Sequence, residues 1–323
     1  MRRHRSLAVI AASLVLFAPQ AWGQQPVHRV GVLAVTEGPD EPRAWLEGLR
    51  DLGYVVGRNL QVEYRFTQAR TELIPALVAE LVAFGPEVIV AATSPNAVAV
   101  HAAAPTIPLI FVQVGDPVAV GLVENLAHPG GNVTGFSSVV PEGFVGKQLQ
   151  LLKELVPQAS RIAVLINPTN PLHPRDQGRL AEFGPQLGVE LVVVEASKPD
   201  QLDTAFEAAH MQSAEAILVG GDPLIFTHSA KVVELAARYR LPAMYLNPRN
   251  VRDGGLMSYG PNYVGLWRSA AAYADKILKG ERPGDLPVQQ PTRYDLIVNL
   301  KTAAALGVTV PPSILAQADE LIE

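Results

Sequence analysis

Short apolar runs alternate with amphipathic stretches along nearly the whole chain. "RVGVLAV" at 29–35, "LQVEYRF", "EVIVAAT" and "LIFVQV" read as strands, and "NVTGFSS", set off by the turn "HPGGN", as a fifth. Between them, "EPRAWLEGLRDLGY" brings Trp45, Leu46, Leu49 and Leu52 to one helical face, and "ELIPALVAELVAF" and "NAVAVHAAA" are further helices. After the helix "GFVGKQLQLLKELVP" the alternation restarts. "RIAVLIN", a helix through Leu180 and Phe183, "VELVVVEA", "DQLDTAFEAAHM", "AILVGG", "AKVVELAARYR" and "PAMYLN" follow in turn. Strands that are apolar on both sides and separated by helices predict parallel sheets covered on both faces. The fold class is therefore α/β, with two doubly wound parallel-sheet lobes.

No long Gly/Ser/Pro linker divides the halves. "GGLMSYGPN" and "LPVQQPTRYDLIVNL" flank the helix "YVGLWRSAAAYADKILKG" and read as further crossings between lobes. The expected organisation is residues 27–139 with 262–284 as lobe 1 and 140–261 with 285–323 as lobe 2. A hinge of several short crossings, the first near 138–142, joins them.

The first residues form a different pattern. Arg2, Arg3 and Arg5 precede the apolar run Leu7 to Ala18, and Ala21-Trp22-Gly23 sets small residues where a signal peptidase cuts. Residues 1–23 are expected to be a signal peptide cleaved near Gly23–Gln24, the apolar run being too short for a comfortable membrane span. Arg2-Arg3 leaves export by the general or the twin-arginine route open. Losing the three arginines leaves 23 basic against 31 acidic residues, a formal charge of −8. That balance argues against nucleic acid as a partner. The chain has no cysteine, so neither a disulfide nor a lipidated cysteine is expected, and the mature protein is expected free in the periplasm.

Ligands of open α/β sheets bind outside the carboxyl ends of the strands. Here those ends read Thr93-Ser94-Pro95, Gly115-Asp116-Pro117, Asn167-Pro168, Gly221-Asp222-Pro223 and Asn247-Pro248. A small polar residue before proline is a helix N-cap signature, which accounts for each pair structurally. The same geometry offers unpaired N–H groups to an anion, and Asp116 or Asp222 to an ammonium or hydroxyl. Motifs for nucleophilic, zinc, P-loop or dinucleotide chemistry are absent from the sequence, so no catalysis, cofactor or metal is expected. His101 and His210 fall in helical patterns. His173, in "NPTNPLHPRD", reads as a loop residue near a strand end, and Tyr245 and Tyr259 as aromatics near the proposed cleft.

The stretches "LRDLGYVVGRNLQVEYRF", "IPLIFVQVGDPVAVGLVENLAHPGGNVTGFSS", "KQLQLLKELVPQASRIAVLINPTNP", "AILVGGDP", "GGLMSYGPN" and "LPVQQPTRYDLIVNLKTAAALGVTVPPSILAQADELIE" carry a resemblance. Over essentially its whole length the chain resembles ABC-transporter substrate-binding proteins related to the tryptophan/tyrosine-binding components of bacteria, of type I periplasmic-binding-protein fold. The resemblance implies a monomer that closes on a small ligand such as an amino acid and delivers it to a permease with its ATPase. It also implies a cleft lined by Thr36, Glu37, Ser94, Asn96, Asp116, Asn167, Asn170, Asp222 and Tyr245. Ser94 would serve the ligand carboxylate and Asp222 the ammonium, with Asp116 competing for the second role. "AATSPNAV" departs from the usual Gly-Thr-Pro-Ala, and "AVTEGPD" is an unusual first loop; both touch the ligand shell, so ligand identity is left open. A ligand-sensing adaptor, presenting the closed form to a membrane receptor, is the alternative. A periplasmic enzyme with Asp116 and Asp222 as an acid/base pair ranks below both.

Overall fold

The computed structural model describes residues 26–36, 40–68, 70–141, 143–170 and 173–323. The expected signal peptide and Glu37 lie outside these described residues.

The first sheet holds His28–Ala34 (β1), Leu60–Phe66 (β2), Val88–Ala92 (β3), Leu109–Val114 (β4) and Val133–Ser137 (β5), all parallel, in the order β2-β1-β3-β4-β5. Asp40–Asp51 (α1), Ile74–Phe84 (α2) and Ser94–Ala103 (α3) connect the first four. The unbroken apolar run of β3 has a direct cause. Val88 and Val90 pack with Trp45 and Leu49 on one face, while Ile89 and Ala91 pack with Val78, Leu81 and Val100 on the other. Both faces are covered, so neither parity of position can be polar.

Phe144–Leu155 (α4) leads into the second sheet. Its strands are Arg161–Ile166 (β6), Glu190–Glu195 (β7), Ala216–Val219 (β8), Ala243–Tyr245 (β9), Met257–Pro261 (β10), Tyr294–Asn299 (β11) and Glu320–Ile322 (β12), ordered β12-β11-β10-β9-β8-β6-β7. The helices around it are His173–Gln186 (α5), Gln201–Met211 (α6), Pro223–Thr227 (α7), Ser229–Arg238 (α8) and Pro248–Arg252 (α9). Later in the chain come Tyr263–Leu278 (α10), Leu300–Leu306 (α11) and Pro312–Gln317 (α12). Read from β7, the first five strands repeat the order of the first sheet, so β8 corresponds to β3 and β9 to β4. Unlike the first sheet, this one is mixed: β11 pairs antiparallel with β10, and β12 runs parallel to β11. The reversal arises because the chain enters β11 from the other lobe instead of over a crossover helix.

Helix α10 packs on the first lobe, its Leu266, Trp267, Ala270, Ala271 and Ala274 sharing a core with Trp45 and Val90. Small residues let α1 approach it closely: a Cβ on Gly48 would lie 2.8 Å from the Ala271 Cβ and 3.0 Å from the Arg268 carbonyl. Leu286 and Val288 also pack in the first lobe, and Gln289 trades backbone hydrogen bonds with Gly135 and Ser137 at 3.0 and 2.8 Å. The chain thus crosses between lobes three times, around 138–143, 261–262 and 290–293. An aromatic residue stands beside each crossing. Phe144 lies 5.1 Å from both Tyr259 and Tyr294, ring centroid to ring centroid, and the two tyrosines are 6.0 Å apart.

Candidate functional site

The most polar concentration at the strand ends lies in the second lobe. Asp222, after β8, is only 3% exposed. Its Oδ1 accepts the Leu224 N–H at 2.9 Å, capping α7, and the Asn167 amide at 3.1 Å. Its Oδ2 accepts the Asn170 amide at 2.8 Å. All three donors are neutral, and among the described residues Asp222 makes no ion pair. A carboxylate has about four acceptor positions, so one remains on Oδ2. A buried charge without a countercharge is costly to keep, and a cation is the natural occupant of that last position.

The two glycines before Asp222 sit in close packing, Gly220 against backbone and Gly221 against the end of a leucine side chain. A Cβ on Gly221 would fall 2.2 Å from Leu246 Cδ2, and one on Gly220 would fall 2.9 Å from the Leu165 carbonyl and 3.2 Å from His173 Nε2. His173 is not a solvated loop residue. It starts α5, is 3% exposed, and lies between the ends of β6 and β8. Its Nδ1 accepts the Asn167 backbone N–H at 2.8 Å, and Nε2 lies 3.2 Å from the Gly221 carbonyl.

In the first lobe the expected site residues follow β3 and β4. Thr93 holds φ 73° and ψ 156°, a region that is almost exclusively glycine's and costs a β-branched residue on the order of 1–3 kcal/mol. Ser94 is the first residue of α3, and its Oγ accepts the Gly115 N–H at 3.4 Å. Asn96, the third residue of α3, is 2% exposed, and among the described residues its Nδ2 has no hydrogen-bond partner. Asp116 is half-buried, with Oδ1 accepting the Val118 and Ala119 N–H groups at 3.1 and 3.0 Å. Among the described residues no His, Asp and Glu cluster could hold a metal ion.

The uniform capping expected at the five strand ends is corrected in detail. Asp222 and Asn247 cap short helices, the latter by accepting the Arg249 N–H at 2.9 Å. Asp116 and Asn167 instead organise local turns, with Asn167 Oδ1 accepting from Thr169 N and Oγ1. Ser94 caps nothing, because it already lies inside its helix and Thr93 makes no capping bond.

Asn167, Asn170 and Asp222 are therefore brought into direct contact. Ser94 and Asn96 sit together at the start of α3, with Asp116 beyond the next strand. Tyr245 is placed elsewhere. It is 1% exposed in a core with Ile225, Val232 and Val251, its hydroxyl lacks a hydrogen-bond partner, and burial pushes its pKa up. Tyr259 belongs to the aromatic group at the crossings.

Two arginines escaped the sequence reading. Arg249 Nη1 donates to Thr36 Oγ1 at 3.1 Å, and Arg252 Nη1 meets Asp40 Oδ2 at 3.0 Å, each joining α9 of the second lobe to the first. Glu41 is half-buried beside them. Its carboxyl is held above the usual range by burial and by Asp40, against the opposing pull of Arg249 and Arg252. A cavity of about 370 Å3 lined by Asp40, Arg43, Ala44, Glu47, Arg252 and Val264 opens at this flank, away from Asp222 and Ser94. The sequence signal was available: both arginines follow a strand end of the same polar-proline form, Asn247-Pro248.

Comparisons with known proteins agree with this architecture. Residues 29–322 match the family described as ABC transporter substrate binding protein. A tyrosine-binding protein of Clostridioides difficile is 28% identical over 282 residues, covering 86% of this chain and 81% of that one. A conserved domain protein from Vibrio cholerae superposes with a TM-score of 0.81 at 30% identity, over 91% of this chain and 99% of the other. A domain from Streptococcus pneumoniae in complex with L-Trp gives 0.81 at 24% identity, over 92% and 100%, a likeness of fold. This family binds substrates and is not one of enzymes; its members are extracytoplasmic and serve ABC transporters with small-molecule ligands. The chain belongs to the ABC transporter substrate-binding protein family.

Proposed function

We propose that the protein is the periplasmic receptor of an ABC importer and that it takes an α-amino acid between its lobes. The observation that carries the amino-acid reading is Asp222: a carboxylate 3% exposed, fixed by three neutral donors and lacking a cation. A ligand ammonium supplies that cation through the fourth acceptor position. Ser94 and the unpartnered amide of Asn96, at the start of α3, suit the ligand carboxylate or another acceptor group. Tyrosine and tryptophan are the first candidates, since the similar proteins include a tyrosine-binding one and an L-Trp complex.

Closure about the three crossings accompanies binding. The Arg249–Thr36 and Arg252–Asp40 contacts support this reading, because they join the lobes at one flank without using the hinge. The closed form docks, as a monomer, on a permease with its ATPase, and residues 1–23 direct export. A thermal-shift screen of the common amino acids tests the ligand class. A ligand at a hundred times its Kd should stabilise by about 2.7 kcal/mol. A shift with aromatic amino acids is expected; a response to sugars or nucleosides alone would overturn the reading.

A further inference from the structure

We propose that His173 is the positioning residue of the ammonium site, bracketing the two strand ends whose side chains build it; this rests on the reading of Asp222 as the ammonium's partner. Asn167 and Asn170 come from the loop after β6, and Asp222 from the end of β8. The Gly220 N–H donates to the Leu165 carbonyl at 3.0 Å and ties the strands just before these loops; beyond that bond, contacts between the side chains alone would let the loop ends shift together with the ligand. His173 fixes their spacing at the backbone, through the Asn167 N–H at 2.8 Å and the Gly221 carbonyl at 3.2 Å. Nδ1 also lies 3.1 Å from the Asn167 carbonyl, but only the Nε2–H tautomer lets Nδ1 accept the Asn167 N–H while Nε2 donates to the Gly221 carbonyl, so that tautomer is the one the positioning role requires. The ring is 3% exposed, and a Cβ on Gly220 would approach its Nε2 to 3.2 Å, so it has little freedom to turn. The carbonyl it holds belongs to the residue immediately before Asp222. The N–H it holds belongs to Asn167, one of the carboxylate's three donors. Displacing either end moves the acceptor position left open on Oδ2.

Two variants separate positioning from folding. His173→Phe keeps the bulk and removes both bonds, whereas His173→Gln retains a donor within reach of Gly221. The probes are L-tyrosine and its deaminated analogue 3-(4-hydroxyphenyl)propionate, titrated on the full chain, with Asp222→Asn alongside. His173→Phe should lose roughly tenfold in affinity for L-tyrosine, the size of one hydrogen bond to a charged group. It should leave the deaminated acid unchanged, and His173→Gln should recover part of the loss. In unliganded wild-type protein, long-range imidazole 1H–15N spectra should show the Nε2–H tautomer. A loss that is equal for both probes, or an Nδ1–H tautomer, overturns the positioning role. If Asp222→Asn erases the preference for the amine while His173→Phe keeps it, this inference alone fails. If wild type shows no preference for the amine, or binds neither probe, the reading of Asp222 fails and the role of His173 with it.

Discussion

Thr93 and Asp222 occupy equivalent places, at the ends of β3 and β8, and pose opposite physical problems. Thr93 carries its cost in the backbone, at φ 73° and ψ 156°, where glycine would sit without strain. Thr93→Gly should therefore raise the stability of the unliganded protein by about 1 kcal/mol, the relief of strain outweighing the freedom glycine gains when unfolded. Urea denaturation midpoints check this, and a lower midpoint for the variant would contradict it. Asp222 carries its cost as a buried carboxylate that makes no ion pair among the described residues. Its candidacy was legible from the sequence, since Gly-Asp-Pro follows a strand of a parallel sheet and ligands of such sheets bind outside the carboxyl ends of the strands. The supporting contacts were not. Nothing in "NPTNPLHPRD" says that Asn167 and Asn170 donate to a carboxylate more than fifty residues later, or that His173 is buried between the two loops. Tyr245 was misplaced for a related reason. A strand-end residue can face either layer of helices, and in β9 the parity sends Tyr245 to the core with Val232 while Met244 takes the other face.

At the scale of elements, continuous apolar runs located the inner strands β3, β4, β6 and β8 because both sheet faces are covered there, whereas the edge strands β2 and β7 carry polar, partly exposed positions. Helices α7 and α9, of five residues each, were invisible because one turn and a half is too short to express a period. The strands β11 and β12 were obscured differently: their direction depends on which lobe the chain comes from, a property of no local window. Helix α10 was legible as a helix, and its partner follows from its small residues. Where it meets α1, Gly48 faces Ala271 with no space for a methyl group. Gly48→Ala should cost about 1–3 kcal/mol by forcing these helices apart. Ligand affinity should stay within about twofold, since neither helix contributes a contact to Asp222 or Ser94 and distant sites are close to additive. Chemical denaturation read together with a binding titration checks both halves of that expectation.

The whole molecule is two cores joined by three crossings and bridged at one flank by α9. Phe144, Tyr259 and Tyr294 pack together where the crossings meet, so the crossings are tied to one another, and the proposed closure would move the lobes as units. The bridge makes a statement about pH. Glu41 has a pKa raised above its ordinary 4.5, chiefly by burial. A carboxyl raised on folding binds its proton more tightly in the folded state, so its contribution favours folding below 4.5 and is lost as pH rises through the raised value. Glu41→Gln should thus match wild type in stability at about pH 4 and exceed it at about pH 7. Equal differences at both values would show that Glu41 is not desolvated in the folded protein.

The central claim is that a cleft between two α/β lobes holds an amino acid by its ammonium on Asp222. Isothermal titration of L-tyrosine and L-tryptophan into wild type and Asp222→Asn tests it most directly, because the asparagine keeps the shape and the α7 cap while removing the charge. Wild type should bind at least one of the two. The variant should lose about 2–5 kcal/mol of that affinity, the range for removing one member of a buried charge pair, and its unfolding midpoint, measured alongside, reports the separate cost of replacing the oxygen that accepts the Asn170 amide. Undiminished binding by Asp222→Asn would contradict the account.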